Sequence, residues 1–470
     1  MRIAAIDQGT TSTRLLVATA DGQAGIVASA RHRQTHPQSG WAEQDPLELL
    51  RNITTCLGAA GQVDAIGIAN QGESCLAWDA VSGDPLSPVI GWQDSRTRDA
   101  IERLRAAGAE EETVARAGLP LDPYFSASKL AWIVANVPAA RHAHAAGRLR
   151  LGTTDAFFLE RLAGRFVTDA TTASRTSLMN LETGDWDKEL CRLFGVPLES
   201  LPPIGYTAGT EIGAIANVPI TASVVDQQAA LHGHGCHGRG DAKITFGTGA
   251  FALANTGSSI VRAPEVGLLS TIAWKTPDET VYAVEGGVYD AGAAIEWLLR
   301  IGILSELGAL EQFTNGPAID RGLVFVPALS GLACPHWDRS AAGMWIGMAA
   351  DTSRHDLAQA ALEGIALCVG DVLDAMAQRV PLDPRLSIDG GLSRSASFAR
   401  FLADTTGYAV HVRSFDELTS LGCASLSALA LGVVLSTPFE DSVIHDPAPV
   451  DRAWRRQRFA DAVARSRSWR

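Results

Sequence analysis

At 470 residues the chain is too long for one hydrophobic core and suits two large domains. Hydrophobic residues at 46% against 19% charged exclude a disordered chain. The formal net charge of −13 leaves no basic face for nucleic acid or an anionic membrane surface.

In chain order, an apolar run at 3–6 reads as a buried strand that delivers Asp7 into the turn Gln8-Gly9-Thr10-Thr11-Ser12-Thr13-Arg14. The N–H groups of such a turn, with two Thr hydroxyls, can hold phosphate oxygens. Asp7 can organise a hydrated Mg²⁺, and Arg14 can neutralise transferred charge. Asp and Gly-Thr are equally ordinary hairpin chemistry. Strands follow at 15–19 and 26–30, then a helix at 46–60 and a strand at 65–69. Helices at 94–107 and 130–137 come next, the second carrying Trp132. Segment 205–222, rich in Gly, Ile and Pro, has no sustained helical period and reads as a connector. The Gly-rich stretch 232–241 marks a boundary between halves. Its His232, His234, Cys236 and His237 are zinc-ligand types, but their spacing preforms no tetrahedron, and the plainer reading is a flexible junction.

A strand at 242–246 then runs into Gly247-Thr248-Gly249, with further strands at 251–255 and 268–273. This is an internal repeat: two meanders, each opening on a phosphate-sized hairpin. Helices are expected at 291–299, 355–377 and 397–406. A strand at 386–389 ends in Gly390-Gly391, where a flat ring can lie against bare backbone. The last helix, 421–431, contains Gly422, Ala424, Ser425 and Ala428 and suits close packing where domains slide or hinge. The seven scattered cysteines lack CxxC pairing and fit reduced thiols. With no secretory leader and no long apolar stretch, a cytoplasmic location is expected.

Two hairpins that face each other and clamp a triphosphate follow the logic of the actin-like ATPase and sugar kinase superfamily. Further motifs narrow the resemblance: Gly40-Trp41-Ala42-Glu43-Gln44-Asp45-Pro46, Asn70-Gln71, Asp122-Pro123-Tyr124-Phe125-Ser126, Ala173-Ser174-Arg175-Thr176, Asp226-Gln227-Gln228-Ala229-Ala230-Leu231 and Gly331-Leu332-Ala333-Cys334-Pro335-His336-Trp337-Asp338. Along nearly its whole length the chain resembles the FGGY carbohydrate kinases, and among them those that act on glycerol.

That resemblance implies an α/β fold of two ribonuclease-H-like domains, 1–238 and 239–470, flanking a catalytic cleft. It implies ATP-dependent phosphorylation of a small polyol, glycerol first, with a tetritol, pentitol or ketopentose as the alternative. Asp226 matches the general base and Asp7 the Mg²⁺ site. Thr10, Thr11 and Arg14 match the γ-phosphate side, and Gly247 with Thr248 the other side of the phosphate chain. Gly292, Ile295 and Gly391 match nucleotide-lining positions, with Ser395 or Ser397 in place of an Asn usual after the Gly-Gly turn. For the acceptor, Trp92 and Phe251 match aromatic walls, and Gly72, Glu73, Tyr124, Asp226 and Gln227 the hydroxyl-binding positions. A homodimer or homotetramer is expected, with no nucleic-acid partner and no membrane insertion.

Plainer roles stay open: core aromatics for Trp92 and Phe251, a loop anchor for Tyr124, a helix N-cap for Asp226. A polymerising or chaperone-type ATPase would share the phosphate hairpins but need no acceptor pocket. Two departures bear on function. Members that act on glycerol usually carry an Arg where this chain has Gly72 in Asn70-Gln71-Gly72-Glu73-Ser74, which removes several donors and opens space. Some bacterial members bind fructose 1,6-bisphosphate at a Gly-Arg loop; the matching segment 209–218 has no Arg or Lys, so insensitivity is expected.

Overall fold

Ile3, Ala4, Ala5 and Ile6 of the strand Arg2–Gln8 are wholly buried, because both faces of their sheet are covered: Ile3 and Ala5 pack with Cys423 and Ala424, and Ala4 and Ile6 with Leu49 and Ile53. In the computed structural model, which describes residues 1–311, 313, 315–435 and 442–470, that strand is central. It pairs antiparallel with Ser12–Thr19 and parallel with Ala65–Asn70. The full six-strand order is Ala208–Ile215, Val218–Val225, Ala65–Asn70, Arg2–Gln8, Ser12–Thr19, Ala24–Arg31.

A seven-stranded sheet repeats this plan. Its order is Leu269–Lys275, Thr280–Val288, Ala250–Gly257, Ala242–Phe246, Arg385–Gly390, Ala409–Val412, Val443–His445. Ala242–Phe246 is antiparallel to the next strand in the chain and parallel to a distant one, as Arg2–Gln8 is. Parallel neighbours place both ends of a crossover on the same edge, so Gln8, Asn70 and Val225 lie level on one sheet and Phe246 and Gly390 on the other.

Helices cover the sheets. Pro46–Leu57 starts where Asp45 accepts from the Leu47 N–H at 2.9 Å and Pro46 opens the first turn. It buries Leu49, Ile53 and Cys56 against the first sheet. Arg354–Ala377 opens on a capping box between Ser353 and Asp356 and is buried through most of its length. Asp226–Gly233 and Leu418–Leu429 cross closely. A Cβ on Gly422 would collide with the Ala229 carbonyl, and one on Gly233 with the Leu418 carbonyl. The small-residue helix is thus packed backbone to backbone, and it also touches strands Arg2–Gln8 and Ala65–Asn70 of the first sheet.

Three expectations are corrected. Segment 205–222 is mostly the edge hairpin Ala208–Ile215 and Val218–Val225, whose tight turn places Ala216 and Asn217 at positive φ. Strand period 2 in a Gly-rich, partly exposed edge is faint in sequence. The stretch 232–241 is no flexible junction: His232, His234 and Cys236 are buried. His232 stacks near His237 and Trp274, and His234 bonds Ser387 at 2.7 Å. Asp226 is the first residue of its helix and not the cap, which is Val225. Helices such as Thr154–Ala163 and Arg452–Ser466, and strand Thr280–Val288, were not anticipated. All seven cysteines are free and buried. Among the described residues no helix is long and apolar enough to cross a membrane.

Candidate active site

The first turn is held from below by a chain of amides. Gln71 Nε2 donates to Gln44 Oε1 at 2.7 Å, and Gln44 Nε2 donates to the Thr10 carbonyl at 2.7 Å. This gives the buried Gln44 of the Trp41–Pro46 motif its role. Trp92 Nε1 donates to Thr10 Oγ1 at 3.0 Å, so one aromatic side chain ties the first turn to the cleft it lines. Asp7 and Arg14 sit opposite each other across the hairpin. Burial pushes the Asp7 carboxyl up to about 6 against the pull of Arg14. Arg14 itself is partly exposed, with Nη1 at 2.8 and 2.9 Å from the two oxygens of Glu417.

The second turn is built by packing and not by charge. The N–H groups of Gly292, Ala291 and Ala293 donate to the carbonyls of Gly247 and Thr248 at 2.9 to 3.1 Å. A Cβ on Gly292 would strike the Gly247 carbonyl, so only Gly permits this approach. Gly390 has φ +89°, and a side chain there would strike the Phe246 carbonyl. Gly391 is exposed, with nothing within 4 Å of its Cβ position, which leaves bare backbone for a flat ring. Ile295 is only 3% exposed and belongs to the C-terminal core, so it supports this wall more than it lines it. Ser395 caps Ala396–Thr406 through Phe398 N–H, and Ser397 bonds Glu311 at 3.2 Å.

Asp226 lies at the start of its helix, with its Oδ1 accepting from Gln227 N–H at 2.7 Å. Its carboxyl is pushed up to about 7, first by burial, then by the charges of Asp7 and Glu73. Gln227 is fixed by the wholly buried Lys243, whose Nζ donates to Gln227 Oε1 at 2.6 Å and Thr245 Oγ1 at 3.0 Å. Trp92, Tyr124 and Phe251 are only partly buried and meet edge to face, Trp92 to Tyr124 at 5.7 Å and Trp92 to Phe251 at 6.5 Å. They are walls, not core. These rings line a cleft of about 1240 Å³ together with Thr248, Glu285 and Tyr289.

Glu73 is 4% exposed and has φ +60°, in a tight turn where Ser74 N–H donates to the Gly72 carbonyl at 2.7 Å. A non-Gly residue in that region is strained and held by its surroundings. Its partner is Arg175, unassigned by sequence reasoning, which also engages Glu285. Lys129, another buried cation, donates to the carbonyls of Tyr124 at 2.7 Å and Gly91 at 3.3 Å and so fixes the Tyr124 loop. The signal that could have found these groups is a buried charge in a strand or helix start, which must be paired; sequence does not reveal burial of a single charge.

Trp92, Tyr124 and Phe251 thus share one cleft with Thr248 of the second turn, and the two turns end corresponding strands of two repeated sheets. The family model for the N-terminal domain of FGGY carbohydrate kinases matches residues 2–233, and that for the C-terminal domain matches residues 242–431. The chain belongs to the FGGY family of carbohydrate kinases. A glycerol kinase of Thermus brockianus is 41% identical over 492 residues, covering 99% of this chain and 98% of the relative. This FGGY chain is also similar to the crystal structure of Plasmodium falciparum glycerol kinase with ADP, with a TM-score of 0.90, 29% identity, and coverage of 99% and 98%. Ligand-bound xylulose kinase of Lactobacillus acidophilus shares the fold at a TM-score of 0.87 and 21% identity, covering 99% of each chain. The two-domain, ribonuclease-H-like α/β architecture of this FGGY kinase follows from these likenesses.

Proposed function

We propose that this kinase transfers the γ-phosphoryl group of ATP to glycerol, giving glycerol 3-phosphate. One observation carries the reading. The carboxylate of Asp226, with its pKa about 7, stands with Glu73 and the Trp92–Tyr124–Phe251 ring cluster at the phosphate turn of a chain 41% identical to a glycerol kinase. A small polyol has little apolar surface, so fixed acceptors and donors on its hydroxyls must supply discrimination. Asp226 takes the proton of the attacking hydroxyl as the new O–P bond forms and the bond to the ADP oxygen breaks. A base with a pKa near 7 is ionised in a useful fraction yet basic enough to hold that proton. Arg14, released from Glu417, faces the γ-phosphate with Thr10 and Thr11, while Gly247 and Thr248 hold the other side. Gly391 receives the adenine ring.

Asp7 and Asp226 are buried carboxylates, and the Asp7 charge raises the Asp226 carboxyl, a repulsion that a divalent cation would relieve. Among the described residues no group of three or more His, Cys, Asp and Glu side chains encloses a metal position. That donor set fits Mg²⁺ held through Asp7 and its own waters. When bound, Mg²⁺ supplies neutralisation of phosphate charge. Asp7 would hold that ion through its waters, and Gln227, pinned by Lys243, orients the acceptor. We read residues 1–238 as the acceptor-bearing unit and 239–470 as the nucleotide-bearing one, in a cytoplasmic enzyme.

A longer acceptor is the second reading, because Gly72 has no side chain and the cleft of about 1240 Å³ exceeds a triol. The test is ADP release coupled to a screen of glycerol, erythritol, pentitols and ketopentoses. Glycerol is expected to give the highest kcat/KM. ADP release that needs no acceptor would overturn the kinase reading, and a pentitol or ketopentose as best substrate would overturn glycerol.

A further inference from the structure

The acceptor side of the cleft contains a guanidinium that does not come from position 72. Arg175 follows the short helix Ala170–Ala173 and is 2% exposed. Its Nε donates to Glu73 Oε1 at 2.6 Å, and its Nη2 donates to Glu285 Oε1 at 3.1 Å. Nη1 lies 3.0 Å from Glu285 Oε2 but makes no hydrogen bond of good geometry. The rings of Tyr124 and Phe125 stand 5.9 and 5.6 Å from its guanidinium carbon. Glu285 belongs to the strand Thr280–Val288 of the second sheet. One buried cation thus joins an acceptor-side carboxylate next to the first sheet to a carboxylate of the second.

Two carboxylates share one guanidinium, with Lys129 as a further cation facing Glu73, and a buried cluster of charges is a poor device for stability alone. It is a good device for presenting an ionised acceptor. Arg175 engages only Oε1 of Glu73, and Oε2 has no hydrogen-bond partner among the described residues. Burial pushes the Glu73 carboxyl up, and Arg175 is the strongest influence pulling it down. The turn at Gly72–Glu73 is strained, so its side chain keeps one direction only while something holds it.

We propose that Arg175 is a positioning residue for the acceptor: it holds Glu73 ionised and aimed, with Oε2 free for a substrate hydroxyl, and its grip on Glu285 makes this acceptor site depend on the register between the two sheets. This rests on the polyol-kinase reading above. The charged and titratable groups facing the Glu73 carboxyl are Arg175, Glu285 and Lys129, with Tyr124 and Asp226 from the cleft.

The experiment compares wild type, Arg175→Lys, Arg175→Ala and Glu285→Gln with the best polyol of the screen. For Arg175→Lys, kcat/KM for the acceptor is expected to fall about ten- to a hundredfold, while KM for ATP stays within about twofold. Because Arg175 lowers the Glu73 pKa, its removal raises that pKa, so the acid limb of the acceptor kcat/KM profile moves to higher pH and the deficit shrinks as pH rises. Guanidinium ion added to Arg175→Ala restores part of the acceptor kcat/KM. Glu285→Gln keeps the shape and gives a smaller loss in the same parameter, so it carries the test if the Arg175 variants do not fold. An unchanged acceptor kcat/KM, or equal rises in KM for acceptor and ATP with an unmoved pH limb, overturns the positioning role. A wild type silent with every polyol and ketose removes the kinase reading and this proposal together, whereas an active wild type with an unaffected Arg175→Lys removes this proposal alone.

Discussion

Asp7 faces Arg14 across the first hairpin, whereas Thr245 faces Phe251 across the second. With Gly9 set against Gly247, Thr10 matches Thr248 and Asp7 matches Thr245. Both are Gly-Thr turns, of four residues at 9–12 and three at 247–249, yet the first is flanked by charges and the second is locked by carbonyls under the helix Gly292–Arg300. Backbone N–H groups suffice to cradle phosphate wherever it lies. Charge is needed only where charge moves, and every buried charge costs free energy unless it is paired. The two turns therefore differ in their supports: the first is flanked by Asp7 and Arg14, and the second is locked through its own carbonyls, with the buried Lys243 beside it satisfied by Gln227 and Thr245.

The sharpest way to break that comparison is to remove a charge from the first half. Asp226→Asn is expected to lower kcat by about a hundred- to ten-thousandfold with nucleotide affinity preserved. Near-normal turnover in steady-state assays would take the base away from Asp226. On the second half, Gly292→Ala drives a methyl into the Gly247 carbonyl. Overpacking of this kind costs about 1–3 kcal/mol, so a lower Tm and a KM for ATP raised about tenfold are expected, with acceptor KM little changed. Gly391→Ala meets nothing within 4 Å, so its Tm should match wild type, and a raised KM for ATP would report the adenine contact.

Between these lies a pH measurement. Asp226 must be ionised to act, and its pKa is about 7, so kcat/KM for the acceptor should fall as pH drops through about 7. The Asp7 charge contributes to that elevation. In Asp7→Asn the residual activity should show its acid limb at lower pH; a limb that stays put would mean that the two carboxylates do not feel each other.

Gly72→Arg tests a smaller effect. A Cβ there stands 3.1 Å from Val225 Cγ1, so Val225 must yield by a few tenths of an ångström before the chain continues. We expect the ratio of kcat/KM for glycerol to that for the best four- or five-carbon acceptor to rise, since the new side chain fills space that a longer molecule needs. An unchanged ratio would show that position 72 does not face the acceptor. The smallest expected effect is none: with no Arg or Lys in 209–218, fructose 1,6-bisphosphate should leave the rate unaltered.

The sequence by itself determined the two Gly-Thr hairpins, the long helix near 355–377 and the small-residue helix, because a strand-to-turn transition and an i, i+4 pattern are local. Asp7 was singled out by its own turn, whereas Asp226, Trp92, Tyr124 and Phe251 were singled out through the family resemblance, since their residue types alone fit a helix start, a loop anchor and core rings equally. Other features depended on contacts between distant segments. The edge strand at 208–215 exists because Val218–Val225 accepts it as a partner, and the His232–Asp241 stretch is rigid because Trp274 and Ser387 pack on it. Arg175 lay in a quoted motif but had no role assigned, since its partners are Glu73, 102 residues away, and Glu285, 110 residues away. A buried ion pair is a property of the space that encloses it, and only the assembled sheets create that space.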